Sequence, residues 1–154
     1  MGSGKSFKCS KCDYIFTSMT GVGMLFVTQY QRTVEEIKAG KFGTEWQHFF
    51  EEHPDGKVDC GRELLVCKYC GVPKTDTNLS LYLPKEDSKE KLSEYPLPFE
   101  LKEEYTLYAK FPHKCKNCGG ACKIVTDVKK VTLNCPECGE PMKEDLDLSS
   151  ICWD

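Results

Sequence analysis

Cys115-Lys-Asn-Cys118-Gly-Gly120 is followed by Cys135-Pro-Glu-Cys138-Gly139, with sixteen residues between Cys118 and Cys135, which makes the pattern C-x2-C-x16-C-x2-C. Two residues between paired cysteines let the chain turn so that both sulfurs face one point. A glycine just after the second cysteine lets backbone amides crowd toward the sulfurs. Four thiolates that converge in this way suit a tetrahedral ion, and zinc is the common occupant, with Zn–S distances of about 2.3 Å. Two further pairs, Cys9-Ser-Lys-Cys12 and Cys67-Lys-Tyr-Cys70-Gly71, stand earlier in the chain. Taken in sequence order, the four pairs predict two tetracysteine sites. The first is Cys9, Cys12, Cys67 and Cys70, and the second is Cys115, Cys118, Cys135 and Cys138. The cofactor expectation is two structural Zn2+ ions.

At 154 residues with 11 cysteines, the chain is long enough for two small modules but gives neither a generous core. A structural zinc contributes about 10–16 kcal/mol of apparent folding energy in small metal-dependent peptides, which is comparable to the stability of a whole domain. Four C-x2-C pairs are poor spacing for a secreted disulfide scaffold, and no apolar signal segment follows Met1, so a reducing, cytoplasmic setting is expected. The longest apolar run, around Val22 to Val27, is far short of the roughly 20 residues that cross a bilayer, and no membrane partner is expected. A net charge of −3 argues against a protein held to nucleic acid mainly by phosphate attraction.

Gly2-Ser-Gly-Lys-Ser6 has the ending of a phosphate-binding loop but lacks the earlier glycine and the strand that feeds such a loop, so a flexible amino terminus is expected. Met1-Gly2 with Ser6 also fits a myristoylation pattern, without the second signal that firm anchoring needs. Phe7 to Phe16 reads as a hairpin around a cysteine knuckle. In its flanking residues, Phe7-Lys-Cys9-Ser-Lys-Cys12-Asp-Tyr14-Ile-Phe16 resembles the first knuckle of rubredoxins, and Val66-Cys67-Lys-Tyr-Cys70-Gly-Val-Pro-Lys74 resembles their second. That resemblance implies one site made by these two knuckles, and iron with electron transfer as the alternative to zinc at this first site. Asp13 stands where the family has glycine, Lys68 where it has proline, and fifty-four residues separate Cys12 from Cys67, far more than in rubredoxins.

The long insertion, about 29–52, reads as helical. Tyr30, Val34 and Ile37 recur at i, i+4 and i+7, Thr33 and Glu36 are spaced as a capping box, and Gly40 is placed to end the helix. A second helix is expected from Thr44, capped with Gln47, through Trp46, Phe49 and Phe50 to the turn Pro54-Asp-Gly56, its aromatic face packed on its own domain. Leu64 to Val66 and Asn78 to Leu83 read as strands. The charged stretch 85–98, which ends Pro96-Leu-Pro98, is taken as a linker. Beyond it, Leu101, Tyr105 and Tyr108 predict a helix stopped by Pro112. Ala121 to Thr126, Val131 to Asn134 and Met142 to Trp153 are expected to form a three-stranded ribbon, which resembles a zinc ribbon in both of its Cys-x-x-Cys-Gly knuckles. The predicted fold class is therefore a small, metal-stabilised α+β protein of two zinc-ribbon, rubredoxin-like modules of short antiparallel strands. The domains are 1–84 with the helical insertion, the linker 85–98, and 99–154 with a short leading helix.

Cys60, Cys122 and Cys152 fall outside the pairs and read as packing residues, although Cys122, four residues past Cys118, could replace a ligand. His48, His53 and His113 form no helical metal pair. No Ser/His/Asp set is discernible, and two complete sulfur quartets leave no open position for a catalytic zinc, so the chain reads as non-enzymatic. Lys110, Lys114, Lys116, Lys123, Lys129 and Lys130, near Phe111 and Tyr108, could follow a nucleic-acid backbone, but Glu137, Glu140, Glu144, Asp145 and Asp147 could neutralise them, and arginine is absent from this half. The functional expectation is a binding or adaptor module for a protein partner, with nucleic acid as the alternative.

Overall fold

The computed structural model describes residues 2–87, 92–148 and 151–153. Met1 of the myristoylation pattern and residues 88–91 of the charged stretch lie outside them. In chain order the elements are β1 (Gly2–Cys9), β2 (Ile15–Gly21), α1 (Phe26–Lys38), α2 (Thr44–Glu52), β3 (Lys57–Val58), β4 (Arg62–Cys67), β5 (Pro73–Thr77), β6 (Leu81–Pro84), α3 (Pro98–Glu104), β7 (Tyr105–Ala109), β8 (Cys122–Ile124), β9 (Leu133–Asn134), β10 (Pro141–Glu144) and β11 (Ile151–Trp153). They fall into two units interleaved in sequence. Unit 1 is Met1–Gly23, Arg62–Asp76 and Pro112–Asp154, and unit 2 is Met24–Gly61 and Thr77–Phe111. The sequential division at 84 and 98 is thereby replaced. Long-range strand pairing, which cysteine spacing does not report, returns the end of the chain to its beginning.

Unit 1 is built on β1. One edge of β1 pairs with β2 from Gly2↔Gly21 to Lys8↔Ile15, and the other edge is shared between β11 (Gly2↔Trp153) and β10 (Cys9↔Met142). The amino-terminal segment expected to be flexible is therefore a strand with partners on both sides. Gly2 is glycine for a local reason, because a Cβ there would lie 2.3 Å from the Trp153 ring. The sheet runs β5-β4-β2-β1-β10-β9, with β8 on β4. β8 and β9 do not pair with each other but with β4 and β10 respectively, so the three-stranded ribbon expected within the last third of the chain is not formed. The core of this unit is small: Phe7, Cys9, Leu64, Val66, Leu133, Cys135 and Met142, flanked by Tyr14, Phe16 and three valines.

Unit 2 carries the helices on their aromatic faces. Phe26, Tyr30, Thr33 and Ile37 line the buried side of α1, and Trp46 and Phe49 that of α2. α1 starts earlier than expected, so Thr33 is mid-helix and donates its hydroxyl to the Gln29 carbonyl at 2.8 Å instead of capping. The stop at Gly40 is as read. Its φ is +83°, its N–H donates to Ile37 O, and that of Lys41 donates to Glu36 O, which closes the helix end. α2 is preceded by Gly43, while Gln47 donates to the Lys38 carbonyl at 3.0 Å. The helix after Pro98 ends at Glu104. Tyr105–Ala109 is a strand instead, because β6 offers it an antiparallel edge (Pro84↔Tyr105, Tyr82↔Leu107) that outweighs the helical spacing of Tyr105 and Tyr108. No helix among the described residues is long and apolar enough to cross a membrane.

Candidate metal centres

Each cysteine pair sits on a tight turn, three of them between consecutive strands and Cys115–Cys118 between the bridged residues Lys114 and Ala121. At the first, the Cys9 N–H donates to Tyr14 O at 2.9 Å, and the amides of Lys11 and Cys12 donate to Cys9 Sγ at 3.4 and 3.5 Å. At the second, Cys67 N–H donates to Val72 O and Tyr69 N–H to Cys67 Sγ at 3.4 Å. The third and fourth repeat one another. Cys115 N–H donates to Gly120 O and Cys135 N–H to Glu140 O, both at 2.8 Å, while Gly119 and Gly139 turn the chain at φ of +74° and +78°. Such amide-to-sulfur bonds stabilise charge on sulfur before any ion arrives.

These turns meet in a different combination from the one that sequence order suggests. Cys9 and Cys12 join Cys135 and Cys138 in quartet A, while Cys67 and Cys70 join Cys115 and Cys118 in quartet B. Within each quartet the sulfurs all lie within 4.8 Å of one another. The expected grouping, Cys9 and Cys12 with Cys67 and Cys70, and Cys115 and Cys118 with Cys135 and Cys138, is corrected accordingly. The ligand set that the rubredoxin resemblance implied is split between two sites. Strand register is the cause. β1 pairs with β10 so that Cys9 faces Met142, and β4 pairs with β8 so that Cys67 faces Cys122.

The donor set fits a tetrahedral ion. Ligands about 2.3 Å from a central zinc stand about 3.8 Å from each other. In quartet A, Cys9 and Cys138 are 3.4 Å apart, and Cys12 is 3.7 Å from both Cys135 and Cys138. In quartet B, Cys67 and Cys118 are 3.5 Å apart and Cys70 and Cys115 3.6 Å. A disulfide would require about 2.05 Å, and the eleven cysteines are all free.

Electrostatics agrees with geometry. The amides of Cys12 and Lys11 pull the Cys9 thiol down to about 6, and those of Cys70 and Tyr69 do the same for Cys67. The Val72 amide and the Asn117 side chain hold Cys70 below the usual thiol range. At Cys12 the Tyr14 amide also pulls down, but Cys9, burial and the facing sulfurs outweigh it and push the thiol up to about 12. Cys118 is pushed up to about 12 in the same way against the Gly120 amide. Four thiols so close cannot all ionise unaided, and a cation among them removes the conflict.

The remaining sequence candidates fall elsewhere. Cys60 is buried in unit 2, where burial pushes its thiol up to about 12, and Cys152 is exposed. Buried His113 lies 3.7 Å from the Asp76 carboxylate. Lys110 belongs to unit 2 and the other five lysines to unit 1, all exposed, with Lys130 3.6 Å from Asp127. Two asparagines escaped notice in the sequence. Asn117 Nδ2 reaches Cys70 Sγ at 3.8 Å, and Asn134, just before Cys135, donates to the Cys70 carbonyl at 3.0 Å, so it ties a quartet A knuckle to a quartet B knuckle. Only a residue's neighbours across strands, not along the chain, could reveal either role. No family model, curated protein or solved structure matches the chain.

Proposed function

We propose that this is a structural zinc protein without enzymatic activity, in which two Zn2+ ions close unit 1 and the folded surface serves as a binding or adaptor module for a protein partner. The observation that carries this reading is the pair of sulfur quartets with near-tetrahedral spacing. Zinc is favoured because all-sulfur closed sites are its usual structural setting. Both quartets are complete, whereas a catalytic zinc keeps one position for water, and this supports a non-enzymatic role. Protein is favoured over nucleic acid as partner by the net charge of −3 and by the pairing of Lys130 with Asp127. A cytoplasmic setting suits free thiols.

Metal analysis of protein purified without added metal tests the core of this reading, with two zinc ions per chain as the expected result. One iron per chain, with the visible absorption of a ferric tetrathiolate and reversible one-electron chemistry, would instead favour an electron carrier. Salt-sensitive binding to mixed RNA and DNA at low ionic strength would favour the nucleic-acid reading and reduce the case for a protein partner.

A further inference from the structure

The two quartets share one layout, and this exposes a single difference between them. Cys9 at the end of β1 faces Met142 in β10, and Cys67 at the end of β4 faces Cys122 in β8. Met142 follows Cys138, and Cys122 follows Cys118, at the same spacing. The surrounding hydrogen bonds also correspond. Ser10 N–H donates to Pro141 O as Lys68 N–H donates to Ala121 O, and Asp145 N–H donates to Ser6 O as Val125 N–H donates to Leu64 O. Bonds placed on either side of a pair mark it as a non-hydrogen-bonded antiparallel pair, whose side chains stand on the same face with Cα atoms about 4.5 Å apart. That separation falls inside the range of about 4.4–6.8 Å that a disulfide spans. Quartet A thus has a thioether beside its buried Cys9, and quartet B has a fifth thiol beside its buried Cys67.

Cys122 is also reachable. It is half-buried and lines a cavity of about 380 Å3 with Cys115, Tyr14, Phe16, Pro73 and Lys74. Met142, by contrast, is buried within the core around quartet A.

We propose that Cys122 and Cys67 form an oxidation site for hydroperoxides, in which a cross-strand disulfide withdraws Cys67 from quartet B while quartet A stays intact. This rests on the reading of the quartets as metal sites. The Cys122 sulfur attacks the peroxide and the O–O bond breaks; the thiol proton goes to the departing oxygen, so Cys122 sulfenic acid forms together with one water from hydrogen peroxide, or one alcohol from an organic hydroperoxide. The Cys67 sulfur then attacks that sulfenic sulfur; the S–S bond forms, the S–O bond breaks, and hydroxide leaves as water after taking up a proton. The two sulfurs supply the two electrons that reduce one peroxide. Cys122 is only half-exposed, so oxidant is supplied in excess.

The test uses the full chain loaded with zinc, in a Cys152→Ser background that prevents coupling between molecules through the exposed Cys152. Metal content is measured first; fewer than two ions per chain at that stage would count against the metal-site reading and not against the switch. Excess hydrogen peroxide is then added, and released zinc is followed with a coloured chelator while disulfides are mapped by mass spectrometry. The expected result is release of one of the two ions with a Cys67–Cys122 linkage, and no release from Cys122→Ser over the same time. Equal release from the parent and Cys122→Ser, linkages confined to Cys67–Cys70 or Cys115–Cys118, or retention of both ions by the parent would each overturn the proposal.

Discussion

Quartet A and quartet B are made of the same strand, knuckle and strand parts in the same register, but their surroundings differ. Cys9 and Cys135 are members of the apolar core with Phe7, Leu64, Val66, Leu133 and Met142. Cys67 and Cys115 are as well buried as those two, yet they stand outside that cluster, and Cys115 borders the cavity. Identical coordination geometry can thus serve two ends. An ion held by quartet A would be continuous with the core, so that losing either would undo both; one held by quartet B would join two knuckles beside the cavity and could leave with less damage. Unit 2, with Ile37, Trp46, Phe49 and Leu101 at 0–4 % exposure, needs no such clamp.

The largest expected effect therefore comes from removing one sulfur at each site. A structural zinc is worth about 10–16 kcal/mol in small metal-dependent peptides, at least as much as a typical domain's whole stability. Cys135→Ser should abolish cooperative folding of unit 1, seen as collapse of its amide dispersion in a heteronuclear NMR spectrum, while the aromatic signals of unit 2 persist. Cys115→Ser should lose one ion and perturb mainly the knuckles of quartet B. Equal damage from the two substitutions would break the distinction. Next in size is the facing residue. Met142→Ala removes a buried core side chain and should cost about 2–5 kcal/mol. Cys122→Ala, at the rim, should cost about 1 kcal/mol. Urea unfolding of the zinc-saturated protein measures both.

What the sequence disclosed and what it withheld follow from the same contrast between local and distant causes. A C-x2-C knuckle is a property of a few consecutive residues, so all eight cysteines of the quartets could be picked out from their spacing. Which knuckles meet is decided by β1 with β10 and β4 with β8, pairings between segments far apart in sequence. Their apolar residues carry no mark of their partners. The helix ends show the same division. Gly40 ends α1 as read, since a left-handed turn is local chemistry, whereas the helical spacing of Tyr105 and Tyr108 yields to the open edge of β6. Thr33 and Glu36 had the letters of a capping box, but Phe26 and Tyr30 extend the buried face a full turn earlier and place Thr33 inside the helix.

Protonation sharpens the comparison further. In quartet A, Cys9 is drawn down to about 6, while Cys12 and Cys138 are pushed up. In quartet B, Cys67 and Cys70 are both drawn down, and Cys118 is pushed up. A thiol with a raised value keeps its proton at neutral pH, and a binding cation must expel it. A thiol drawn down to about 6, as Cys9 and Cys67 are, has already lost most of it, and Cys70, also drawn down, gives it up more readily than an ordinary thiol. Each proton expelled makes affinity rise about tenfold per pH unit, so acid should release metal from both sites and the dependence should be steeper at quartet A. Competition with a chelator at several pH values, read by the cadmium-113 resonance of each site, gives the two slopes; a steeper slope at quartet B would contradict this ordering.

The smallest effect tests the equivalence of the two layouts and not their difference. Gly119 and Gly139 occupy the same place in their knuckles, have φ of +74° and +78°, and would each give a new Cβ nothing to touch within 4 Å. Alanine at either position therefore meets only the intrinsic cost of the left-handed backbone, about 1–2 kcal/mol, and the two losses should agree. Gly71 also has positive φ, +71°, but a Cβ there would lie 2.5 Å from Asn134 Nδ2, the group that donates to the Cys70 carbonyl. Gly71→Ala should consequently cost more than either, because it bears the backbone strain and also displaces Asn134. Denaturant titration of the three variants, each saturated with zinc, ranks them. If Gly119→Ala and Gly139→Ala differ by as much as Gly71→Ala exceeds them, the knuckles of the two quartets are not equivalent, and the contrast between Met142 and Cys122 is no longer the main difference between the sites.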